Sequence, residues 1–314
     1  MDTPTPAPSP NLVEIPDEIF DRVCKGLGNF FSRINGFTPE MLATDMLNAG
    51  KTVRARDILS RYVDPAGKRI LEIGSGYGIT LISWTKNFAL DVTGVEPESE
   101  GFASTVDVSR DLCRVNGVDA GRIVVAEGEA LPFSDGSFDI VYSANVIEHC
   151  NRPAQVLREA IRVLKPGGIL HFEIPNFASF FEGHYFVPMP PLLFRWMLPW
   201  WVKTAFGRDP AFARTLRTEI NPVWLRRTVA GIAKEHPVRI VSMGEEVFRE
   251  RLKSPSFNFQ YNAVQKILGP IIGLLLRLNF GGIAANLFIL LQAHYPIYLT
   301  VQKTPVLAGK AAAI

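Results

Sequence analysis

Between residues 69 and 175 short apolar runs alternate with stretches of helical spacing. Ile70, Leu71 and Ile73 form a buried-strand run that enters the turn Gly74-Ser75-Gly76-Tyr77-Gly78, and a helix is predicted over 79–88. Strand-like runs return at 91–97, 122–127, 138–143 and 169–175, with helices predicted over 101–116 and 153–164. The second of these is closed by Lys165-Pro166-Gly167-Gly168. Strands alternating with helices predict a parallel sheet covered on both faces. Beyond 175 the rhythm breaks, returns with a helix over 222–232 and a strand over 238–243, breaks again, and ends in a strand over 295–303.

These patterns divide the chain. Residues 1–10, with four prolines, read as an extended, disordered lead. Residues 11–62 are helical, with one helix expected over 40–59 behind a Thr38-Pro39 cap and first turn. Residues 63–175 form the core. Two insertions, 176–220 and 245–294, flank a return to the core at 221–244, and a tail, 304–314, follows the final strand. This is one α/β domain with two insertions rather than two independent domains.

Charge sharpens that division. The 314 residues carry a net +2, but residues 1–185 hold 17 Lys and Arg against 25 Asp and Glu, and residues 186–314 hold 16 against 6. The C-terminal part is therefore basic as well as apolar, which suits an anionic surface or ligand. No nucleic-acid motif accompanies the charge, so nucleic acid is not expected as a partner. Cys24, Cys113 and Cys150 are too widely spaced for a disulfide framework or a zinc pattern, which suits free thiols in a reducing cytosol. Residues 1–10 lack a cationic stretch followed by an apolar core, so no signal peptide is expected there.

Three glycines within five positions let a cofactor approach the main chain. A nicotinamide-binding turn would read Gly-x-Gly-x-x-Gly, but here the third glycine comes one residue early, at Gly78, and Glu72 precedes the turn. Glu96 ends the second strand 22 residues after Gly74, close to the ~20 expected for an acid that accepts hydrogen bonds from ribose hydroxyls. The runs Glu127-Gly128-Glu129-Ala130-Leu131-Pro132-Phe133, Ser137-Phe138-Asp139, Asn145-Val146-Ile147-Glu148-His149, Leu157-Arg158-Glu159 and Arg162-Val163-Leu164-Lys165-Pro166-Gly167-Gly168 follow in order.

Together these motifs resemble the class I S-adenosylmethionine (SAM)-dependent methyltransferases, UbiE/BioC-like (type 11), over roughly residues 55–175. The resemblance implies an α/β, Rossmann-like doubly wound sheet of seven strands, mostly parallel with the last strand antiparallel, carrying two helical insertions. It implies SAM as cofactor, held by Glu72, Gly74, Ser75, Gly76, Gly78, Glu96, Glu127, Gly128 and Asn145. Glu127 takes the place of the Asp that contacts the adenine amino group, and Gly128 that of the following Ala. Glu72 is expected to face the methionine end of the cofactor.

His149 is the sharpest catalytic candidate, as a base beside the transferring methyl, and the alternative is that Glu148-His149 only orders its loop. His184, in Glu182-Gly183-His184-Tyr185, is a second candidate, with Tyr185 in reserve. Some relatives hold Mg²⁺ with Glu-x-x-Glu-His, but Asn145 stands at the first acid, so no metal is expected.

Residues 186–202 are rich in aromatics and proline, with Arg195, Lys203, Arg208, Arg214 and Arg217 among or after them. Residues 267–292 are nearly uncharged except for Arg277, and are divided by Leu278-Asn279-Phe280-Gly281-Gly282, which predicts two short helices. This stretch reads as a buried lid, a peripheral membrane contact or, least readily, a span. The expected activity is methyl transfer, at oxygen, to a hydrophobic or lipid-linked acceptor, in a cytoplasmic protein at the inner face of a membrane. A methyltransferase of a water-soluble small metabolite and a non-catalytic SAM-fold binding protein are the competing readings.

Overall fold

The computed structural model describes residues 13–28, 30–98, 105–189, 195–253 and 281–305. Four helices lead into the sheet: α1 (Asp17–Leu27), α2 (Phe30–Ile34), α3 (Pro39–Met46) and α4 (Gly50–Leu59). The Thr38 hydroxyl accepts from the Met41 N–H, as a cap should, with Pro39 in the first turn. The single helix expected over 40–59 is broken, however. Leu47 and Ala49 turn into the core, and the Asn48 side chain accepts from the Gly50 N–H, so a second helix starts there.

The central section runs β1 (Arg69–Ile73), α5 (Ile79–Phe88), β2 (Asp91–Glu96), α6 (Thr105–Val115), β3 (Ile123–Val125), β4 (Phe138–Ala144), α7 (Pro153–Val163) and β5 (Leu164–Ile174). A two-stranded hairpin, β6 (Phe181–Glu182) and β7 (Val187–Pro188), and α8 (Leu198–Phe206) belong to the first inserted stretch. Then come α9 (Pro222–Ile232), β8 (Val238–Ser242), α10 (Glu245–Lys253), α11 (Gly281–Leu290) and β9 (Ile297–Lys303). The first of the two short helices expected in 267–292 lies outside the described residues, as do the lead and most of the tail.

Seven strands form one sheet in the order β3-β2-β1-β4-β5-β9-β8. The first five pair in parallel, and β9 lies antiparallel to both β5 and β8. This is the α/β Rossmann-like, doubly wound arrangement, with the last strand reversed. Alternation along β1 builds the two layers. Leu71 and Ile73 face a core shared with α7, α8 and α9, whereas Ile70 faces one shared with α1, α5 and α6, where Trp84 is fully buried.

The segment expected only to close the helix is instead part of a strand. Lys165 to Gly168 continue β5 as a bulge, because Leu164 pairs with Phe138 but Ile169 pairs with Ile140. Gly168 is needed there, since a Cβ would lie 2.8 Å from the Asp139 carbonyl oxygen. Across β5, the Lys303 ammonium of β9 donates to the carbonyls of Ile161, Arg162 and Leu164 at 2.8, 3.1 and 2.7 Å, closing the end of α7.

Candidate active site

The turn after β1 is built by backbone geometry that glycine alone adopts cheaply. Gly74, Gly76 and Gly78 have φ of 73°, 52° and 76°. The N–H groups of Gly74 and Ser75 both donate to the Val95 carbonyl, at 2.8 and 3.0 Å, and fold the turn over β2. At Gly76 a Cβ would meet nothing within 4 Å, so this backbone faces open space. Beneath it Glu72 is buried, and among the described residues neither its Oε2 nor the buried Ser75 hydroxyl has a hydrogen-bond partner. Burial, reinforced by the neighbouring Glu96 carboxylate, pushes the Glu72 carboxyl up to about 8, against the pull of Thr80 and the Leu81 backbone.

Glu96, at the end of β2, accepts the Gly76 N–H at 2.8 Å, and burial raises its pKa. Glu127 is exposed two residues past β3, and Gly128 is buried against Ile73 and Val156, where a Cβ would come within 3.1 Å of Ile73 Cγ2. The loop beyond is stapled from α7. The Arg162 guanidinium donates to the carbonyls of Leu131 and Phe133 and to Asp135 and Glu159, while Glu159 accepts the Leu131 N–H. These resembling motif residues are thus scaffold for the 127–135 loop. The expected cofactor residues of the first three strand ends lie at the carboxyl edge of the parallel strands, where ligands of open α/β sheets sit.

Asn145 ends β4 with φ 54°, exposed, its N–H donating to Glu173 O at 2.9 Å. The next residue, Val146, packs directly on Gly74. The same short loop then carries Glu148 and His149. Glu148 is 0% exposed, and neither carboxylate oxygen has a hydrogen-bond partner among the described residues. Its Oε1 faces His149 Nε2 at 3.7 Å and His184 Nε2 at 3.8 Å, both beyond hydrogen-bond range. The two imidazoles meet edge to face with centroids 5.2 Å apart, against Phe212.

His184 sits on the turn of the β6–β7 hairpin, and its Nδ1 is fixed by Glu182 Oε1 at 2.7 Å. Burial disfavours the His184 cation, but the charge and hydrogen bond of Glu182, with Glu148 behind, outweigh it and raise the pKa. Burial lifts the Glu148 carboxyl to about 7. His149 is 38% exposed, and partial burial with the neighbouring His184 charge hold its pKa down. Both catalytic candidates therefore converge on one carboxylate. Tyr185 does not join them, because its hydroxyl donates to Asp209 O and accepts the Ala213 N–H. Sequence reasoning missed Glu182 as the partner of His184. Its signal was the two-residue spacing of Glu182 and His184 across Gly183.

The hairpin that carries His184 also walls an apolar cavity of about 620 Å³, lined by Phe180, Pro188, Met189, Trp201, Leu287, Phe288 and Leu291. Around it large apolar side chains face solvent, with Trp196 77% and Leu290 78% exposed. None of the described helices is long and apolar enough to cross a membrane.

The chain is similar to known proteins over part of its length. Residues 71–172 match the family model described as "Methyltransferase domain" (type 11). An uncharacterized protein of Mycobacterium tuberculosis strain H37Rv is 32% identical over 165 residues, spanning 52% of this chain and 55% of that protein. An uncharacterized methyltransferase of Mycolicibacterium paratuberculosis is 37% identical over 120 residues, spanning 38% of this chain and 44% of that protein. The chain thus spans about half the length of the curated relatives it matches. Among solved structures, phosphoethanolamine N-methyltransferase 2 of Haemonchus contortus overlaps with a TM-score of 0.48 at 19% identity, covering 88% of this chain and 60% of that one. The YcgJ protein of Bacillus subtilis overlaps with a TM-score of 0.43 at 14% identity, covering 82% and 99%. Over residues 71–172 the chain is therefore similar to the type 11 methyltransferase domain family.

Proposed function

We propose that the chain is a SAM-dependent methyltransferase that methylates a hydroxyl of a hydrophobic or lipid-linked acceptor at a membrane surface. The observation that carries this reading is the buried Glu148 with two imidazoles, on a loop that packs through Val146 onto Gly74 of the glycine turn.

The residues present fit the cofactor. The unpartnered Glu72 Oε2 and Ser75 hydroxyl are buried polar groups beside the turn, and the open backbone at Gly76 is a cradle that a side chain would fill. Glu72 and Ser75 would hold the methionine end, Glu96 the ribose, and Glu127 with Gly128 the adenine side. SAM, when bound, supplies a methyl carbon on a sulfonium, whose C–S bond breaks as a C–O bond to the acceptor forms. The chain's own work is to hold the acceptor oxygen in line, exclude water and receive the hydroxyl proton. Glu148, His149 and His184 are the groups placed for that. The apolar cavity at the other end of the β6–β7 hairpin suits the hydrophobic part of the acceptor, and the exposed side chains of α8 and α11 suit contact with a lipid surface.

Calorimetry with S-adenosylhomocysteine (SAH) tests the cofactor half. Micromolar binding lost in Glu96→Ala supports it, and no binding by the folded wild type removes it. Incubation with labelled SAM and membrane extract, followed by intact mass spectrometry, tests the acceptor half. Label found only on small polar metabolites would remove the hydrophobic-acceptor reading.

A further inference from the structure

Glu148, His149 and His184 each offer one ligand atom, and these atoms all lie within 4.8 Å of one another. Two features set this apart from a chance cluster. Among the described residues the fully buried Glu148 carboxylate has no hydrogen-bond partner, a costly state unless something charged meets it. In addition, His184 is oriented as metal-bound histidines are. Its Nδ1 is spoken for by the Glu182 carboxylate at 2.7 Å, which turns Nε2 toward Glu148. Glu182 is itself buried and is fixed by the Tyr185 N–H at 2.6 Å.

The Nε2 to Oε1 distances of 3.7 and 3.8 Å are too long for hydrogen bonds. A cation with bonds of roughly 2.0–2.2 Å would hold its ligands about 3.0–3.5 Å apart, so each imidazole would move a few tenths of an ångström toward Glu148, and the two imidazole nitrogens, within 4.8 Å of each other, would close further. We propose that Glu148, His149 and His184 bind a divalent first-row transition cation of the Zn²⁺ or Mn²⁺ kind, with open positions left for a ligand oxygen. Two imidazoles and one carboxylate favour such an ion over Mg²⁺ or Ca²⁺, which prefer all-oxygen shells. The sequence-based expectation of no metal looked only at Asn145. The third ligand comes instead from the hairpin, 36 residues beyond Glu148.

The role of this cation rests on the hydroxyl-acceptor reading above. With both imidazoles engaged as ligands, neither remains a free base. Coordination of the acceptor hydroxyl lowers its pKa, so its proton is lost to solvent as the acceptor binds, before the methyl step, and the three side chains serve as ligands in place of the proton-receiving role given them above.

The test uses full-length protein freed of metal with a chelator and titrated with Zn²⁺, with Co²⁺ as an absorption probe, Mg²⁺ as a hard-cation control, and SAH binding as a check on the fold. Expected are one tight Zn²⁺ equivalent, a visible Co²⁺ ligand-field band, and weaker Mg²⁺ binding. Glu148→Gln and His184→Ala should each weaken Zn²⁺ binding by more than about tenfold, and Glu182→Gln by about tenfold, with SAH binding retained. Should Glu148→Gln fail to fold, His149→Ala at the half-exposed ligand gives the same reading. Absence of Zn²⁺ binding by wild type that binds SAH overturns the site, as does binding that these variants leave unchanged or a preference for Mg²⁺. Zn²⁺ binding without SAH binding would instead leave the cation site standing and remove the methyltransferase reading.

Discussion

A Cβ placed on Gly74 would lie 2.3 Å from Cγ2 of Val146 and 2.7 Å from its Cγ1. The glycine turn and the loop of Glu148 and His149 are therefore in direct contact, and glycine serves here as a joint between two halves of a site. Gly74→Ala should lower stability by about 2–4 kcal/mol, combining the contact with the φ of 73°, and should abolish SAH binding. Val146→Ala in the same chain relieves the contact but not the φ, so it should restore only part of the stability. Thermal unfolding and calorimetry on the single and double variants check this, and full recovery would refute the assigned strain.

If Glu72 holds the methionine end as proposed, cofactor binding is a proton-linked event. Its folded pKa of about 8 lies above its ordinary value of 4.5, so the free folded protein holds a proton there that the unfolded chain has lost. Between those values the folded state binds more protons, and stability must fall as pH rises through that window. A cationic ligand end beside Glu72 favours the ionised carboxylate, so SAM binding at pH 7 should release protons. Calorimetry in buffers of different ionisation enthalpy measures that release directly. Glu72→Gln should abolish it, weaken SAM binding, and leave the free protein more stable than wild type at pH 8–9.

Arg162 predicts a different phenotype. It satisfies two loop carbonyls and the buried side of Glu159, so Arg162→Ala leaves acceptors without a donor and should cost on the order of 2 kcal/mol. Because the loss loosens the 127–135 loop, SAH affinity should fall more than that of methionine alone. Equal losses for both ligands would show that the loop does not reach the adenine side.

The cavity can be read through Trp201, whose ring lines it and whose indole N–H is held by Pro188 O at 2.9 Å. A brominated alkyl chain that enters should quench its emission, and Trp201→Phe should remove that quenching. Leu291→Glu should weaken alkyl binding by about tenfold or more while leaving SAH affinity unchanged. Unaltered alkyl binding in Leu291→Glu would place the chain elsewhere.

The parallel half of the sheet was legible because each strand is a short apolar run bounded by turn residues, and the predicted limits of α5 and α9 coincide with the observed helices. The break at Asn48 was not, since periodicity runs smoothly through 40–59 and only packing of Leu47 and Ala49 reveals the kink. The strand bulge at Lys165–Gly168 was not legible for a similar reason, because Pro-Gly-Gly closes a helix or bulges a strand alike until a partner strand is known. At the candidate site, Glu72, Glu96 and the glycines were readable from spacing. The meeting of His184 with Glu148 was not. It depends on a hairpin set by distant contacts, including the Asn35 amide donating to His184 O at 3.2 Å and the Tyr185 hydroxyl on Asp209.

The position of β9 has a consequence for how the molecule is made. It is the last strand in sequence yet lies inside the sheet, between β5 and β8, and its Lys303 closes α7. During synthesis β5 must therefore wait on the ribosome with an unpaired edge while more than a hundred further residues are added. The nascent chain can complete its first five strands early, but the docking of β8, and with it the closure of the sheet, is delayed until residues 297–303 emerge.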